Sequence, residues 1–324
     1  MKTLLVGYRA ADLTPELLEG DVTCHTLDIY HHHAIEKVHH AKAVCSAHLP
    51  EGPWDLVRFK TGPKIHSGEL ALDLLQEIAT LLKNGEAAPP PLEKNPKFLL
   101  DFEGRERDRN DLLGKIKDDP KRVRSFRAEW PASVPGGEKL MFTSYPGCFC
   151  HRRLDEGGLA LAEVVSRELQ DFRREAQDLG ILDMGCGCGL VGFLIANRYN
   201  QTIKQSNNQT ISLVMVDSHA RAVEAATENA AKFGIEAEVI LSDNGTPERM
   251  DGTFDVFVGN PPYYSDYRIA EVFLETAKRA LKPGGICYTV VKNAAGLKPV
   301  QERYFPHVEV IGRRGYNVLR SVKE

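Results

Sequence analysis

The chain has 324 residues, 42% of them hydrophobic and 27% charged, a composition typical of a soluble globular protein with room for two domains. The net charge of -4 and the pI near 6.3 exclude a global basic field, so a nucleic-acid partner requires a local patch. No signal-peptide pattern and no run of about eighteen apolar residues occurs, so we expect a cytoplasmic protein with no membrane partner.

Residues 1 to 88 are predicted to form an α/β domain without catalytic chemistry. Trp54 to Phe59 has the pattern of a strand, and Ser67 to Lys83 has helical spacing of its leucines, with Ser67 placed as the N-cap. A glycine-rich cofactor turn is missing from this segment. Five histidines crowd residues 31 to 40, and we expect them to form a solvated face rather than a metal site.

Residues 89 to 138 are predicted to be a linker followed by a strip of mixed charge. The prolines at 89 to 91 indicate a stiff connection. The strip is either a solvated connector or a phosphate-contacting surface on which Phe126 stacks on a base. Its basic cluster comprises Lys121, Arg122, Arg124 and Arg127. The Pro-Gly-Gly sequence at 135 to 137 predicts a turn between two short strands.

Residues 139 to 324 alternate helix and strand patterns, which predicts an α/β domain with a parallel core and a late antiparallel pair. This is the layout of class I, Rossmann-like methyltransferases. Helices are predicted at 158–169, 190–198, 220–233 and 267–281, and strands at 181–183, 211–217, 237–241, 254–259, 286–292, 307–311 and 316–321. A polar loop is expected at 200–209, and a Pro-Gly-Gly stop after the helix that ends at 281. The seven cysteines lack paired C-x-x-C spacing, so we expect reduced thiols and no metal.

Two motifs carry the chemistry of this second domain. Asp-Met-Gly-Cys-Gly-Cys-Gly at 183–189 lies between a strand and a helix pattern, where a Cβ would keep a cofactor from the backbone. Asn-Pro-Pro-Tyr at 260–263 follows a strand pattern, which places Asn260 at the carboxyl end of that strand. Either motif alone is weak, because such glycine turns also serve nicotinamide cofactors and Asn-Pro is a common turn. Together they predict an S-adenosylmethionine (SAM) site with a methyl-acceptor clamp beside it.

Each cofactor contact has a structural alternative. Asp183 is placed to meet the amino-acid end of SAM, or to cap the next helix. Asp217 ends the second strand, where a carboxylate can accept both ribose hydroxyls or cap a helix. The other candidate cofactor residues are Gly185, Cys186, Gly187 and Gly189 in the turn, Asp243 and Asn244 near the adenine, and Phe149 and Asp155 near the methionine.

The clamp is expected to act by positioning. The Asn260 side-chain oxygen and the Pro261 carbonyl can accept the two hydrogens of an exocyclic amine, so that its lone pair points at the methyl group. A proline directs that carbonyl because its φ is fixed. Pro262 completes the turn, and Tyr263 would stack on the base.

Four segments resemble the ribosomal RNA guanine-N2 methyltransferases: Pro146 to Gly158, Asp183 to Gly189, Asn260 to Tyr263, and Gly312 to Arg320. The resemblance implies a SAM-dependent catalytic domain over 139–324, a degenerate, cofactor-free methyltransferase-like domain before it, and ribosomal RNA or a ribosomal subunit as partner.

The substrate is less well specified than the reaction. Tyr263 departs from the usual Phe of that family and is shared with adenine-N6 and glutamine methyltransferases. Methylation of a protein glutamine amide or of adenine N6, and a non-catalytic ribosome-binding role, therefore remain alternatives. The basic cluster together with Arg313, Arg314 and Arg320 favours RNA.

Overall fold

The computed structural model describes residues 1–82, 92–116, 125–171, 178–203, 211–262 and 267–324. Within these ranges the chain forms two compact units. The first contains Met1–Arg127, Tyr145–Gly147 and His219–Arg221, and the second contains Ala128–Ser144, Cys148–Ser218 and Ala222–Glu324. No helix in the described ranges is long and apolar enough to cross a membrane.

The first unit contains a parallel sheet in the order β3-β2-β1-β4-β5. Its strands are β1 (Lys2–Val6), β2 (Asp21–Thr26), β3 (Ala43–Cys45), β4 (Leu56–Thr61) and β5 (Phe98–Phe102), and its helices are α1 (Ile29–His39), α2 (Gly68–Leu81) and α3 (Glu106–Leu113). The Ser67 Oγ accepts a hydrogen bond from the Leu70 amide at 3.2 Å, as the sequence predicts. The prolines at 89 to 91 lie outside the described residues.

The predicted linker at 89–138 is wrong for most of its described residues. β5 pairs with β4 along its whole length, so residues 98–102 complete the sheet and the first unit continues to Arg127. Phe126 is 7% exposed and packs in the apolar core with Trp54 and Phe59, so it is not available to stack on a base. Burying the Phe126 ring removes apolar surface from water, and this gain in stability favours burial although the neighbouring residues in the sequence are charged. Lys121, Arg122 and Arg124 lie outside the described residues, and Arg127 is exposed.

The histidine-rich segment forms α1, and its side chains are less solvated than predicted. His33 and His40 are exposed, whereas the ring of His32 lies 3.3 Å from Glu36 and His39 Nε2 lies 2.7 Å from the Ala10 carbonyl. Partial burial lowers the pKa of His31. His39 therefore helps to hold α1 against its own unit.

The second unit contains a sheet in the order β10-β9-β8-β11-β12-β14-β13 and a separate antiparallel hairpin, β6 (Ala128–Ala132) with β7 (Leu140–Ser144). The sheet strands are β8 (Leu179–Met184), β9 (Ile211–Asp217), β10 (Ala237–Leu241), β11 (Phe254–Gly259), β12 (Leu281–Val291), β13 (Glu309–Arg313) and β14 (Tyr316–Val322). In the described part of this sheet, β14 pairs antiparallel with β12 and with β13, and the other pairs are parallel. The predicted fold class is confirmed.

The helices of this unit are α4 (Glu156–Asp171), α5 (Leu190–Ile203), α6 (Ala220–Phe233), α7 (Arg268–Ala280) and α8 (Ala294–Gln301). Two expectations fail. α5 continues to Ile203, past the expected start of the polar loop at 200, and residues 204–209 of that loop lie outside the described residues. The Thr202 Oγ1 donates to the Arg198 carbonyl within the helix at 3.0 Å. The Pro-Gly-Gly sequence at 283–285 lies within β12 and does not separate the helix from the strand, because β12 already begins at Leu281. The register of β12 against β11 is irregular at this place.

Candidate active site

The strand order reverses between β8 and β11, and the carboxyl ends of these two strands define the candidate site. Asp183 is paired with Val258 and Met184 with Gly259, so the glycine turn and the Asn260 clamp start at the same level of the sheet. Ligands of open α/β sheets bind in the crevice at such a switch point. The structure thus brings together the two motifs that the sequence analysis singled out.

The glycine turn has backbone conformations that side chains disfavour. Gly185, Gly187 and Gly189 have φ of +69°, +57° and +88°. A Cβ on Gly185 or Gly189 would lie within 2.7 Å or 2.2 Å of the rings of Phe273 and Phe193, whereas one on Gly187 would meet nothing within 4 Å. Gly187 therefore borders open space, which is where a cofactor could lie against the backbone.

Asp217 holds this turn. Its Oδ2 accepts a hydrogen bond from the Gly187 amide at 2.8 Å, and the amides of Gly185 and Cys186 donate to the neighbouring Val216 carbonyl at 2.8 and 3.0 Å. The half-buried Asp217 carboxylate thus lies beside the open face of Gly187. This contact joins residues 30 positions apart, so local sequence patterns do not predict it.

Asp183 is 2% exposed, and its Oδ2 accepts a hydrogen bond from the Gly192 amide in the first turn of α5 at 2.8 Å. The structure thus shows the helix-capping contact that the sequence analysis gave as an alternative. Burial raises the pKa of Asp183 to about 7, and the nearby Asp217 charge adds to the rise. A cation placed beside it would favour the ionised form.

The raised pKa of Asp183 predicts that a rise in pH from about 4 to about 7 destabilises the protein. The unfolded carboxyl loses its proton near 3.8 and the folded one near 7, so the free energy of unfolding falls between these values, by about 4 kcal/mol in all. Asp183→Asn keeps an acceptor for Gly192 without the charge. Denaturant titrations at pH 5 and pH 8 should show a smaller pH dependence in this variant. The same pH dependence in both proteins would contradict the assignment.

The clamp lies partly within the described residues. Asn260 is half-buried, and its Nδ2 donates a hydrogen bond to Asp155 Oδ2 at 2.8 Å. Pro261 is buried and Pro262 half-buried, while Tyr263 lies outside the described residues. Asp155 was predicted to border the methionine end of a cofactor, and its contact with Asn260 places it at the clamp.

The adenine-side candidates lie next to Asp217. The Ser242 amide donates to the Asp217 carbonyl at 3.0 Å, and Asp243 is half-buried, whereas Asn244 is exposed and its Oδ1 accepts from the Ser242 hydroxyl at 2.9 Å. A concavity of about 530 Å³ borders this turn. Phe149 is 66% exposed, so its ring does not close the predicted methionine end of the pocket in this structure.

The cysteines near the site are thiols. Cys148, Cys186 and Cys188 are buried, and burial raises the pKa of Cys186 and Cys188 well above the usual range. Within the described residues, no group of three His, Cys, Asp or Glu side chains could hold a metal ion.

The arginines of β13, β14 and the turn between them are paired. Arg314 Nε lies 2.9 Å from Glu156, Arg320 Nε lies 3.0 Å from Glu168, and Arg313 donates to the buried Glu163, all carboxylates of α4. These pairs balance the local charge. The support for RNA binding that the sequence analysis drew from these arginines is therefore weaker than expected.

At the equivalent switch point of the first unit, between β1 and β4, Lys60 near the end of β4 forms ion pairs. Lys60 Nζ lies 2.6 Å from Asp12 and 2.6 Å from Glu103, and a Cβ on Gly7 would lie 2.4 Å from the Lys60 carbonyl. This switch point therefore lacks the open glycine face that borders the site of the second unit.

Comparison with known proteins gives curated relatives that are named for the methylation of ribosomal RNA. Proteins named ribosomal RNA small subunit methyltransferase C from Stutzerimonas stutzeri and Hahella chejuensis are 30% and 33% identical over 191 and 171 residues, or 57% and 51% of this chain. These alignments cover 51% and 44% of the relatives, so the chain spans about half the length of the curated relatives it matches.

The T. thermophilus 16S rRNA N2 G1207 methyltransferase (RsmC), solved in complex with AdoMet and guanosine, matches 100% of this chain and 88% of its own with a TM-score of 0.73 and 18% identity. This likeness shows a shared fold over both units. The family model described as methyltransferase small domain matches residues 139–320, which contain the glycine turn and the clamp. The chain therefore belongs to the methyltransferase small domain family.

Proposed function

We propose that the second unit transfers a methyl group from SAM to an exocyclic amino nitrogen of ribosomal RNA, namely guanine N2. The observation that carries this proposal is the placement of Asn260 at the carboxyl end of β11, level with the glycine turn of β8. An amine acceptor held by Asn260 would face a cofactor held by that turn. The names of the curated relatives and the substrate of the solved relative support ribosomal RNA and guanine.

The residues present fit SAM. The open face of Gly187 accommodates a ligand against the backbone, Asp217 offers a carboxylate for the ribose hydroxyls, and Asp183 offers one for the amino group of the methionine. Asp243 and Asn244 border the place for the adenine. When bound, SAM supplies an electrophilic methyl group on a sulfonium.

The chain itself contributes alignment. The Asn260 Oδ1 and the Pro261 carbonyl would accept the two amine hydrogens, which favours a pyramidal nitrogen whose lone pair is no longer delocalised into the ring and points at the methyl group. Because the reaction is a direct displacement, correct geometry lowers the barrier without a dedicated base. The nitrogen then releases its extra proton to water.

The first unit would bind RNA. The turn at Gly7 lacks the open glycine face of the second unit, which favours substrate binding over cofactor binding, and the exposed Arg127 lies at the end of the basic strip. A ribosomal RNA substrate would place the protein in the cytoplasm, where ribosomes assemble.

The test is methyl transfer from labelled SAM to small ribosomal subunits and to their purified RNA, both taken from cells that lack the gene. We expect label in RNA, recovered as N2-methylguanosine after digestion. Label in a protein glutamine or in N6-methyladenosine would replace the proposed substrate by one of the alternatives. SAM binding without any transfer would favour a ribosome-binding role.

Asp217→Ala should weaken SAM binding by about 1.5 to 3 kcal/mol, which is the usual loss when charged hydrogen bonds are removed. Calorimetric titration measures it. Asp217→Asn keeps one acceptor for the Gly187 amide but removes the charge. It therefore separates the role of Asp217 in holding the turn from its contact with the ribose. Unchanged SAM affinity in both variants would show that Asp217 is not part of the site. The control is Glu238→Ala, because Glu238 is an exposed carboxylate that pairs with Arg249.

A further inference from the structure

One carboxylate connects the start of α4 to the clamp. Asp155 Oδ1 accepts a hydrogen bond from the Gly157 amide at 3.1 Å, and its Oδ2 accepts from the Gly158 amide at 2.9 Å. The same Oδ2 accepts from Asn260 Nδ2 at 2.8 Å, across 105 residues of sequence. Three donors therefore fix the position of this half-buried side chain.

The two glycines after Asp155 make this arrangement possible. A Cβ on Gly158 would lie 2.6 Å from Asp155 Oδ2, and one on Gly157 would lie 3.2 Å from the ring of Tyr316. Glycine at 158 lets the helix backbone approach the carboxylate closely enough to donate to it, and glycine at 157 leaves room for the Tyr316 ring. The local sequence Asp-Glu-Gly-Gly thus builds an acceptor that points at the clamp.

The contact matters because an Asn side chain has two ends of nearly equal shape and opposite hydrogen-bonding character. Rotation by half a turn exchanges its oxygen and its amino group. An ionised carboxylate only accepts, so it pairs with the amino end and repels the oxygen. The Asn260 oxygen is thereby directed away from Asp155.

We propose that Asp155 is a positioning residue, which fixes the orientation of the Asn260 amide so that its oxygen, and not its amino group, faces the acceptor amine. The inference rests on the proposed function and adds to it a residue that need not touch substrate or cofactor. It also replaces the expected role of Asp155 at the methionine end of SAM.

Asp155→Asn separates positioning from folding. Asparagine is as good an N-cap as aspartate, so the start of α4 is retained, but its own amide no longer acts only as an acceptor. We expect kcat to fall about tenfold or more, with SAM affinity within about twofold and the melting temperature unchanged. Asp155→Ser, which also caps helices, should behave in the same way.

A double-variant cycle provides the sharper criterion. If Asp155 acts through Asn260, the change Asp155→Asn costs nothing further in the Asn260→Ala background. Additive losses, or a loss of SAM affinity in Asp155→Asn alone, would overturn the proposal in favour of a direct role at the cofactor. Full kcat in both Asp155 variants would overturn it as well.

A readout that is independent of activity distinguishes this inference from the proposed function. In a ¹H–¹⁵N NMR spectrum the side-chain amide signal of Asn260 is the one that Asn260→Ala removes. One of its protons should exchange slowly in the wild type and quickly in Asp155→Asn. Absent RNA methylation by the wild type would refute the proposed function only, whereas equal exchange in both proteins would refute the positioning role.

Discussion

Replacing Asn260 by Ala is expected to lower methyl-transfer turnover by about a hundredfold or more while SAM affinity stays within about twofold. The side chain lies at the carboxyl end of β11, level with the glycine turn, and would hold the amine mainly in the transition state. Single-turnover rates with labelled SAM measure the chemical step, and calorimetry measures the affinity.

The control for this variant is Asn293→Ala. Asn293 is also an asparagine that follows a strand, but it caps α8 through the Ala295 amide and belongs to no part of the site. Its loss should cost about 1 kcal/mol of stability and leave turnover unchanged. Equal losses of turnover and SAM affinity in Asn260→Ala would instead mean that Asn260 maintains the shape of the turn.

The second large effect is expected in the glycine turn. Gly189→Ala combines a left-handed φ of +88° with a Cβ 2.2 Å from the Phe193 ring, so we expect a loss of about 3 kcal/mol or more in the free energy of unfolding. Denaturant titration measures this loss. A stability close to that of the wild type would show that the helix start can move away from the turn.

Gly187→Ala is the matched comparison. Its φ of +57° is also left-handed, but its Cβ would meet no atom within 4 Å, so only the backbone strain of about 1–2 kcal/mol applies. The added methyl group would enter the open space beside Asp217, and we expect SAM affinity to fall more than stability does. The opposite order would mean that the cofactor does not approach the backbone there.

The second unit could be predicted well because its patterns are local. β9, α6 and β10 have the bounds expected from the sequence, since each is a continuous apolar or periodic segment ended by a polar or glycine residue. The first unit was predicted less completely. β2 contains Asp21, Thr23 and His25, and the buried His25 is accommodated by a bond of 2.9 Å between its Nε2 and the Ser46 carbonyl. The periodicity of a segment does not reveal partners that lie so far away in the sequence.

The candidate site, too, could be predicted only in part. Asp183, Asp217 and Asn260 could be predicted as site residues because each lies at or just after the end of a strand pattern. Their hydrogen-bond partners come from distant parts of the chain and could not be predicted in this way. Phe126 illustrates the limit, because a ring among charges looks exposed until β5 completes the core beside it. The pairing of Arg313, Arg314 and Arg320 with α4 illustrates it too, since a basic sequence segment is not a basic surface when carboxylates lie opposite.

α4 serves as a brace between distant parts of the second unit. Its first turn is capped by the carboxylate that contacts Asn260, and further along, Glu163 and Glu168 pair with arginines near the far edge of the sheet. Deleting β13 and β14 would leave the buried Glu163 without its counter-ions and loosen the helix whose start supports the clamp. We therefore expect substitutions in these last strands to shift the clamp without altering either motif.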